Sequence, residues 1–354
     1  MPLKRTCRIT VFFLLSLALF LAMSTGGLSA SETGLSLGEI VEKTGARLEW
    51  DAMRGIGRIR KGNQVLVIRE NSPYLLINYD ILRPIRSPER GPRGDIRMSA
   101  EDADFLIRQL GLLPSAENKL YISTIIIDAG HGGKDSGALG QFTVEGKPIV
   151  IKEKDLVLEV SRSLAELLKG RYPDRTVVLT RDSDEYLTLE ERTEIANAIE
   201  LDDREAMIFI SIHANASLNS KAEGFEVWYL PPDYRRKLLD PAMLDENARE
   251  VAPILNTMLE EEYTVESILL AKNILKGMDE KIGEKHVNRG LKEETWFVVR
   301  NAKMPSVLVE IGFVTNRDEA LKMREGDHLN DITEGIYNGV CSFIEHFEKP
   351  VLPE

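Results

Sequence analysis

The sequence predicts an α/β fold, a mostly parallel twisted sheet with helices on both faces, preceded by a small antiparallel α+β domain. Two contrasting patterns carry that reading. From Tyr121 onward, β-branched apolar runs alternate with long amphipathic stretches, as in strands joined by crossover helices. Before about Leu113, apolar residues alternate with polar ones in short runs between turn residues, as in a half-buried antiparallel sheet. Residues 114–120 read as the linker between the two regions. With 354 residues, 43% hydrophobic and 29% charged, the chain has room for two folded domains.

At the start of the chain, Lys4, Arg5 and Arg8 precede an uncharged apolar run from Ile9 to Met23, and small residues follow up to Ala30. This pattern predicts a secretory signal peptide over residues 1–30, because the run is shorter than the roughly 18–20 apolar residues of a membrane span. The chain is then exported, to a periplasm or to the cell wall and beyond, and meets the membrane only in transit. Its formal net charge of −12 excludes nucleic acid as a partner, since backbone binding needs surplus Lys and Arg. Of the two cysteines, Cys7 leaves with the signal peptide, so Cys341 has no intramolecular disulfide partner. Val340, Ile344 and Phe347 place Cys341 on an apolar helix face.

In the domain predicted over residues 31–113, Gly38 to Thr44 reads as a short helix. Arg47 to Trp50, Gly57 to Arg60 and Gln64 to Arg69 read as strands, with Lys61-Gly62-Asn63 as a turn. Arg83, Arg86, Arg90, Arg93 and Arg97 stud a Pro/Gly-rich stretch read as a solvated connection. Ser99 to Leu110 forms a helix with Ser99 as N-cap.

In the domain predicted over residues 121–348, Tyr121 to Asp128 is the first strand. Glu153 to Lys169 is a helix striped by Leu156, Val160, Leu164 and Leu167 and closed by Gly170. A strand from Thr176 to Thr180 follows, and Thr188 with Glu191 makes a capping box for the next helix. Met207 to Ile212 is a buried strand ending at His213, and Gly224 to Leu230 is another. Helices are expected over Pro241 to Glu262 and Val265 to Ile282. The chain closes with a strand from Val307 to Ile311 and a helix from Ile332 to Phe347.

Chemistry concentrates where these strands end. The stretch Ile125 to Gly140, IIIDAGHGGKDSGALG, breaks from a strand into a glycine-rich loop carrying His131. No Gly-Lys-Ser/Thr follows, which argues against a phosphate loop. Close backbone approach around a metal is the better use of the glycines, with Asp128 or Asp135 steadying a ligand. His131 after the first strand, Glu153 opening a helix and His213 ending a later strand can converge at one sheet edge. Two imidazoles and one carboxylate, leaving a fourth position open, form a catalytic zinc set. Glu310 lies in the apolar run VLVEIGFVTN, where a carboxylate is costly unless it is used; beside a metal it can act as general base and acid. His286 is placed at the cleft, His328 and His346 on the surface, and Arg192 is read as a structural charge.

Six motifs occur in order: IIIDAGHGGKDSGALG, the EKD of Glu153 to Asp155, TRDSDEYLTLEERTEIAN, FISIHANA, the NRG of Asn288 to Gly290, and MPSVLVEIGFVTN. Together they resemble the zinc-dependent N-acetylmuramoyl-L-alanine amidases of the third amidase class. The resemblance implies one Zn2+ held by His131, Glu153 and His213, with Glu310 catalytic, and Asn215 and Arg289 at the cleft or behind the ligands. It implies peptidoglycan as substrate, cut between N-acetylmuramic acid and L-alanine of the stem peptide. A zinc peptidase acting within the stem peptide and a non-catalytic wall-binding regulator are the alternatives. GARLEWDAMRGIGRIRKGNQVLVI resembles the small stalk module named after copper amine oxidases, which implies a spacer or wall-contacting role. Pro231 to Ser267 is an acidic insert. Relatives with an inserted helix over the zinc suggest that a carboxylate such as Glu246, Glu250 or Glu260 restrains the site until a protein activator displaces it.

Overall fold

The computed structural model describes residues 34–62, 64–78, 81–111, 120–202, 204–239 and 246–348. The expected signal peptide, most of the expected linker and Asn63 of the expected turn lie outside the described residues. The chain divides into two compact units, one up to Leu120 and the other Tyr121–Glu348. Among the described residues, no helix is long and apolar enough to cross a membrane.

In the first unit, α1 (Leu37–Thr44) begins at Ser36, whose side chain and that of Glu39 cap each other's backbone, and ends at Gly45 in the left-handed conformation. Five strands follow as an antiparallel meander: β1 (Arg47–Asp51), β2 (Ile56–Lys61), β3 (Gln64–Arg69), β4 (Tyr74–Ile77) and β5 (Ile81–Pro84). β6 (Glu89–Arg90) and β7 (Ile96–Arg97) pair before α2 (Ala100–Gly111), and the Ser99 hydroxyl accepts the Asp102 N–H as an N-cap should. Ile59, Leu66, Ile68 and Leu75 on one sheet face close over Leu37 and Ile40 of α1 and Leu106 and Leu110 of α2. β4 escaped the sequence reading because its run Tyr74–Ile77 is apolar throughout and shows no alternation.

The arginine-rich stretch is largely solvated, as expected, with Arg86, Arg90 and Arg93 exposed. At the surface, Arg90 makes a two-pronged ion pair with Glu70, at 2.6 and 3.0 Å, and Arg97 pairs with Asp95 at 2.9 Å. Arg83 stacks its guanidinium 3.5 Å from the Phe105 ring centroid.

The second unit runs β8 (Tyr121–Ala129), β9 (Leu139–Val144), β10 (Lys147–Lys152), α3 (Glu153–Arg171), β11 (Thr176–Leu179), α4 (Leu189–Asn197), β12 (Glu205–Asn215) and β13 (Phe225–Tyr229). It continues through α5 (Glu246–Ile282), β14 (Asn288–Glu293), α6 (Phe297–Asn301), β15 (Ser306–Phe313), α7 (Arg317–Met323) and α8 (Gly326–Glu348). Six strands form one sheet in the order β11-β8-β12-β15-β13-β14, parallel except where β13 meets β15. β9 and β10 form a separate hairpin. The expected α/β architecture is therefore present.

Strand alternation sorts the core into two layers. Ile125 and Ile127 of β8, Ile208, Ile210 and Ile212 of β12, and Val307 and Val309 of β15 pack with α3, α5 and α8. The intervening Ile126, Phe209 and Leu308 face the other way, with Ala196 of α4 and Val298 and Val299 of α6. Asp128, His213 and Glu310 share the parity of this second layer, so they emerge on the α4 and α6 side, where the strands end.

Two helix boundaries differ from expectation. α5 is one helix of 37 residues, where two were expected with a break near Tyr263. The Thr264 hydroxyl donates to the Glu260 carbonyl at 2.8 Å and the Ser267 hydroxyl to the Tyr263 carbonyl at 2.6 Å, so these residues satisfy themselves inside the helix. α3 passes through Gly170 to Arg171, and the Tyr172 N–H closes it on Leu168.

α5 and α8 meet at a notch of glycines. A Cβ added at Gly339 would lie 2.3 Å from the Ile274 Cα, and one at Gly277 would lie 2.3 Å from the Gly335 carbonyl oxygen. Backbone against backbone leaves no flexible side chain to yield. Gly339→Ala should therefore destabilise the unit by about 1–3 kcal/mol, measured by urea denaturation; an unchanged midpoint would contradict this packing.

Candidate metal centre

The loop after β8 carries His131 in left-handed backbone, at φ 59°, a conformation disfavoured for a side-chain-bearing residue by about 1–3 kcal/mol. Two buried arginines hold it there. Arg192 of α4 donates to the Ala129 and His131 carbonyls, while Arg181 donates to the carbonyls of Ala129 at 2.9 Å and Gly130 at 2.7 Å. Asp128 is fully buried and accepts from Arg192 at 2.8 Å, Thr180 at 2.7 Å and Ser211 at 2.7 Å. Burial alone would push its carboxyl upward, but the Arg192 charge and these hydrogen bonds outweigh it and hold Asp128 below the usual carboxylate range. On the loop's other side, Lys154 bridges the Gly133 carbonyl and Asp184, and Asp184 accepts the Gly133 N–H at 2.8 Å.

His131, Glu153 and His213 converge, with one ligand atom from each lying within 4.8 Å of the others. Glu153 opens α3 directly behind the β9–β10 hairpin, an arrangement the sequence reading had no pattern to detect. Its Oε1 lies 3.2 Å from His131 Nε2 and 3.0 Å from His213 Nδ1. The Ala138 and Ala214 N–H groups donate to Glu153 at 2.8 and 3.0 Å, which fixes the carboxylate plane. Although burial disfavours its charge, the two imidazoles keep Glu153 ionised, well below the ordinary carboxylate range. Asp135 accepts from His131 Nδ1 at 2.8 Å and turns Nε2 toward the cluster. Of the two aspartates expected to steady a ligand, Asp135 does so directly, and Asp128 acts through Arg192 on the loop.

The glycines admit this approach. A Cβ at Gly130 would lie 2.4 Å from the His213 ring, and one at Gly137 would lie 2.6 Å from Glu153 Oε2. A two-imidazole, one-carboxylate set with a carboxylate behind one imidazole fits a catalytic zinc ion by donor chemistry.

Glu310 pairs in register with His213 across β15 and β12, and with Glu226 across β15 and β13. Its Oε2 is buried without a hydrogen-bond partner among the described residues. Burial, then the neighbouring charges of Glu153 and Glu226, push its carboxyl well above the usual range. The sequence reading missed Glu226, which is buried and joins the two residues expected at the cleft: Asn215 donates to it at 2.7 Å and Arg289 at 2.8 Å. The alternation of GFEVWY, placing Glu226 on the same face as Trp228, was the available signal.

A cavity of about 470 Å³ is lined by the triad, Asp135, Glu310 and Asn215. Tyr186, Leu189 and Trp296 also line it, none of them singled out from sequence. His286 does not line it; it meets Glu319 at 3.1 Å and stacks on His328, 4.5 Å between centroids. His328 is thus half-buried rather than a plain surface residue, and burial together with the His286 and Lys322 charges lowers its pKa to about 4.

In the described part of the acidic insert, Glu260, Glu261 and Glu262 are buried. Glu260 is buried in an ion pair with Arg236, at 2.9 Å to each of its oxygens, and Arg236 also donates to the carbonyls of Ala302 and Met304. Glu260 is committed to this pair and does not line the cavity, contrary to the expectation that it reaches the metal. The side chains of Glu246 and Glu250 lie outside the described residues.

Residues 125–342 match the family described as N-acetylmuramoyl-L-alanine amidase. The uncharacterized protein YqiI of Bacillus subtilis (strain 168) is 34% identical over 224 residues, 63% of this chain and 85% of that protein. The endolysin of Bacillus phage SPP1 is 34% identical over 223 residues, 63% of this chain and 66% of the endolysin. Among solved structures, N-acetylmuramoyl-L-alanine amidase AmiC2 of Nostoc punctiforme is similar with a TM-score of 0.46 and 27% identity, over 63% of this chain and 97% of that one.

Arg192 and Asp128 form a pair almost wholly out of solvent. Arg192→Ala should destabilise the unit by about 3–5 kcal/mol, because it strands a buried carboxylate. Asp128's folded pKa lies below its unfolded value near 3.8, so its contribution is complete above that pH and is lost as pH falls through the folded value. Acid titration of stability should show this component in the wild type and lack it in Asp128→Asn; identical profiles would refute the assignment.

Proposed function

The chain belongs to the N-acetylmuramoyl-L-alanine amidase family, and on that premise we propose that it hydrolyses, with zinc, the amide between N-acetylmuramic acid and L-alanine of the peptidoglycan stem. The observation carrying the catalytic part of this reading is Glu310: a buried carboxylate with an unpartnered oxygen, in register with His213 and lining the same cavity as His131 and Glu153.

His131, Glu153 and His213 would hold the zinc, which would supply Lewis acidity toward water and the substrate carbonyl. Glu310 takes a proton from the attacking water as its oxygen bonds to the lactyl carbonyl carbon. It then gives that proton to the departing nitrogen as the C–N bond breaks, releasing the L-alanine amine. Burial and the carboxylates around it raise Glu310's affinity for the proton between these steps. Asp135 keeps the His131 ring oriented, and Arg192 and Arg181 keep its backbone in place. No Ser or Cys nucleophile is required.

The reading extends to export through the apolar leader, since peptidoglycan lies outside the inner membrane, and to a spacer or wall-contacting role for the N-terminal unit. A protein activator would act by moving α5 and its Arg236–Glu260 pair, rather than by withdrawing Glu260 from the metal.

Glu310→Gln should lower stem-peptide release from purified sacculi by at least about 10²-fold, the usual scale of a lost general acid–base, while bound zinc stays near one per chain by elemental analysis. Full activity in this variant would sink the assignment. Chelation should abolish release and zinc should restore it; mass spectrometry should find L-alanine at the new amino terminus. Cuts confined to the interior of the stem would instead identify a peptidase.

A further inference from the structure

Among the described residues, Tyr186 and Trp296 are each 41% exposed and Leu189 is 48% exposed, and all three converge on the cavity that holds the metal triad. Isolated exposed hydrophobics need no explanation, but an apolar wall facing a reaction centre marks a ligand surface. The wall is firm. The Trp296 indole rests edge-on against Trp228, 5.8 Å between centroids at 83°, and the next two residues, Phe297 and Val298, start α6 and also line the cavity.

Resting on the amidase reading above, we propose that Trp296 is a specificity-determining platform for the sugar ring on the muramic acid side of the scissile amide; Tyr186, whose ring already carries Lys134 Nζ at 4.2 Å from its centroid, serves only as apolar wall. A pyranose offers a patch of C–H on one face and hydroxyls around its edge, which suits an aromatic face left open to water. The short lactyl ether keeps that ring beside the scissile carbonyl, so a wall in the same cavity as the metal ligands lies within its reach. The same cavity is also lined by carboxylates, imidazoles and the Asn215 amide, which suit the polar peptide arm. A volume of about 470 Å³ is within the range of small-ligand sites.

The test compares two substrates that share one scissile amide: a disaccharide tetrapeptide, and the same tetrapeptide carrying only a lactoyl group. The zinc-loaded wild-type enzyme should prefer the sugar-bearing substrate by about two- to tenfold in kcat/KM, mostly through KM, the scale of one aromatic contact. In Trp296→Ala the two substrates should be cleaved equally well. Trp296→Leu, which keeps apolar bulk against Trp228 but lacks an aromatic face, should do the same, and Trp296→Phe should retain the preference. A Trp296→Leu enzyme with the full wild-type preference, or a wild type with none, overturns the platform and leaves the amidase reading standing. Failure of the wild type to cleave the amide in either substrate overturns both.

Discussion

The Asp128–Arg192 pair is the constraint on which the catalytic unit depends. Neither group tolerates burial alone, since an unpaired charge in a low-dielectric interior costs several kcal/mol. Together, with Thr180 and Ser211 completing the carboxylate's acceptor capacity, they form a rigid anchor spanning β8, α4 and β12. Arg192 has donors left over, and it directs them to the carbonyls of Ala129 and His131. A structural ion pair thereby holds a strained loop, and that loop aims His131 at Glu153 and His213.

The second constraint is the crowding of acids. Glu310 and Glu226 come together because they pair in register across β15 and β13, and Glu153 joins Glu310 at the cavity from the start of α3. Each carboxylate receives different treatment: Glu153 sits against two imidazoles and two N–H groups, Glu226 against Asn215 and Arg289, and Glu310 has an oxygen with no partner among the described residues. Environment has divided identical side chains into three different electrostatic states. The cavity that Glu153 and Glu310 line also takes in the apolar side chains of Leu189 and Trp296.

Much of the N-terminal unit was legible because short alternating strands and a capped helix such as that begun by Ser99 are local signals; Thr188 with Glu191 does the same within one turn of the second unit. The break assigned near Tyr263 failed because Thr264 and Ser267 bond backwards within the helix. Glu260 was read as a free acid because Arg236 is 24 residues away, brought to it only by folding.

The sequence by itself determined the layered α/β class and the identity of the family, and it singled out His131, Glu153, His213 and Glu310, which share one cavity, because strand parity, glycine runs and ordered motifs are written in local spacing. Tertiary structure alone decided what stands around them. The grip of Arg181 and Arg192 on the loop, the link from Glu226 to Asn215 and Arg289, the burial of Glu260 and the wall built on Trp296 all join residues distant along the chain. Such contacts depend on which elements pack together, and a pattern read along the chain holds no measure of distance in space.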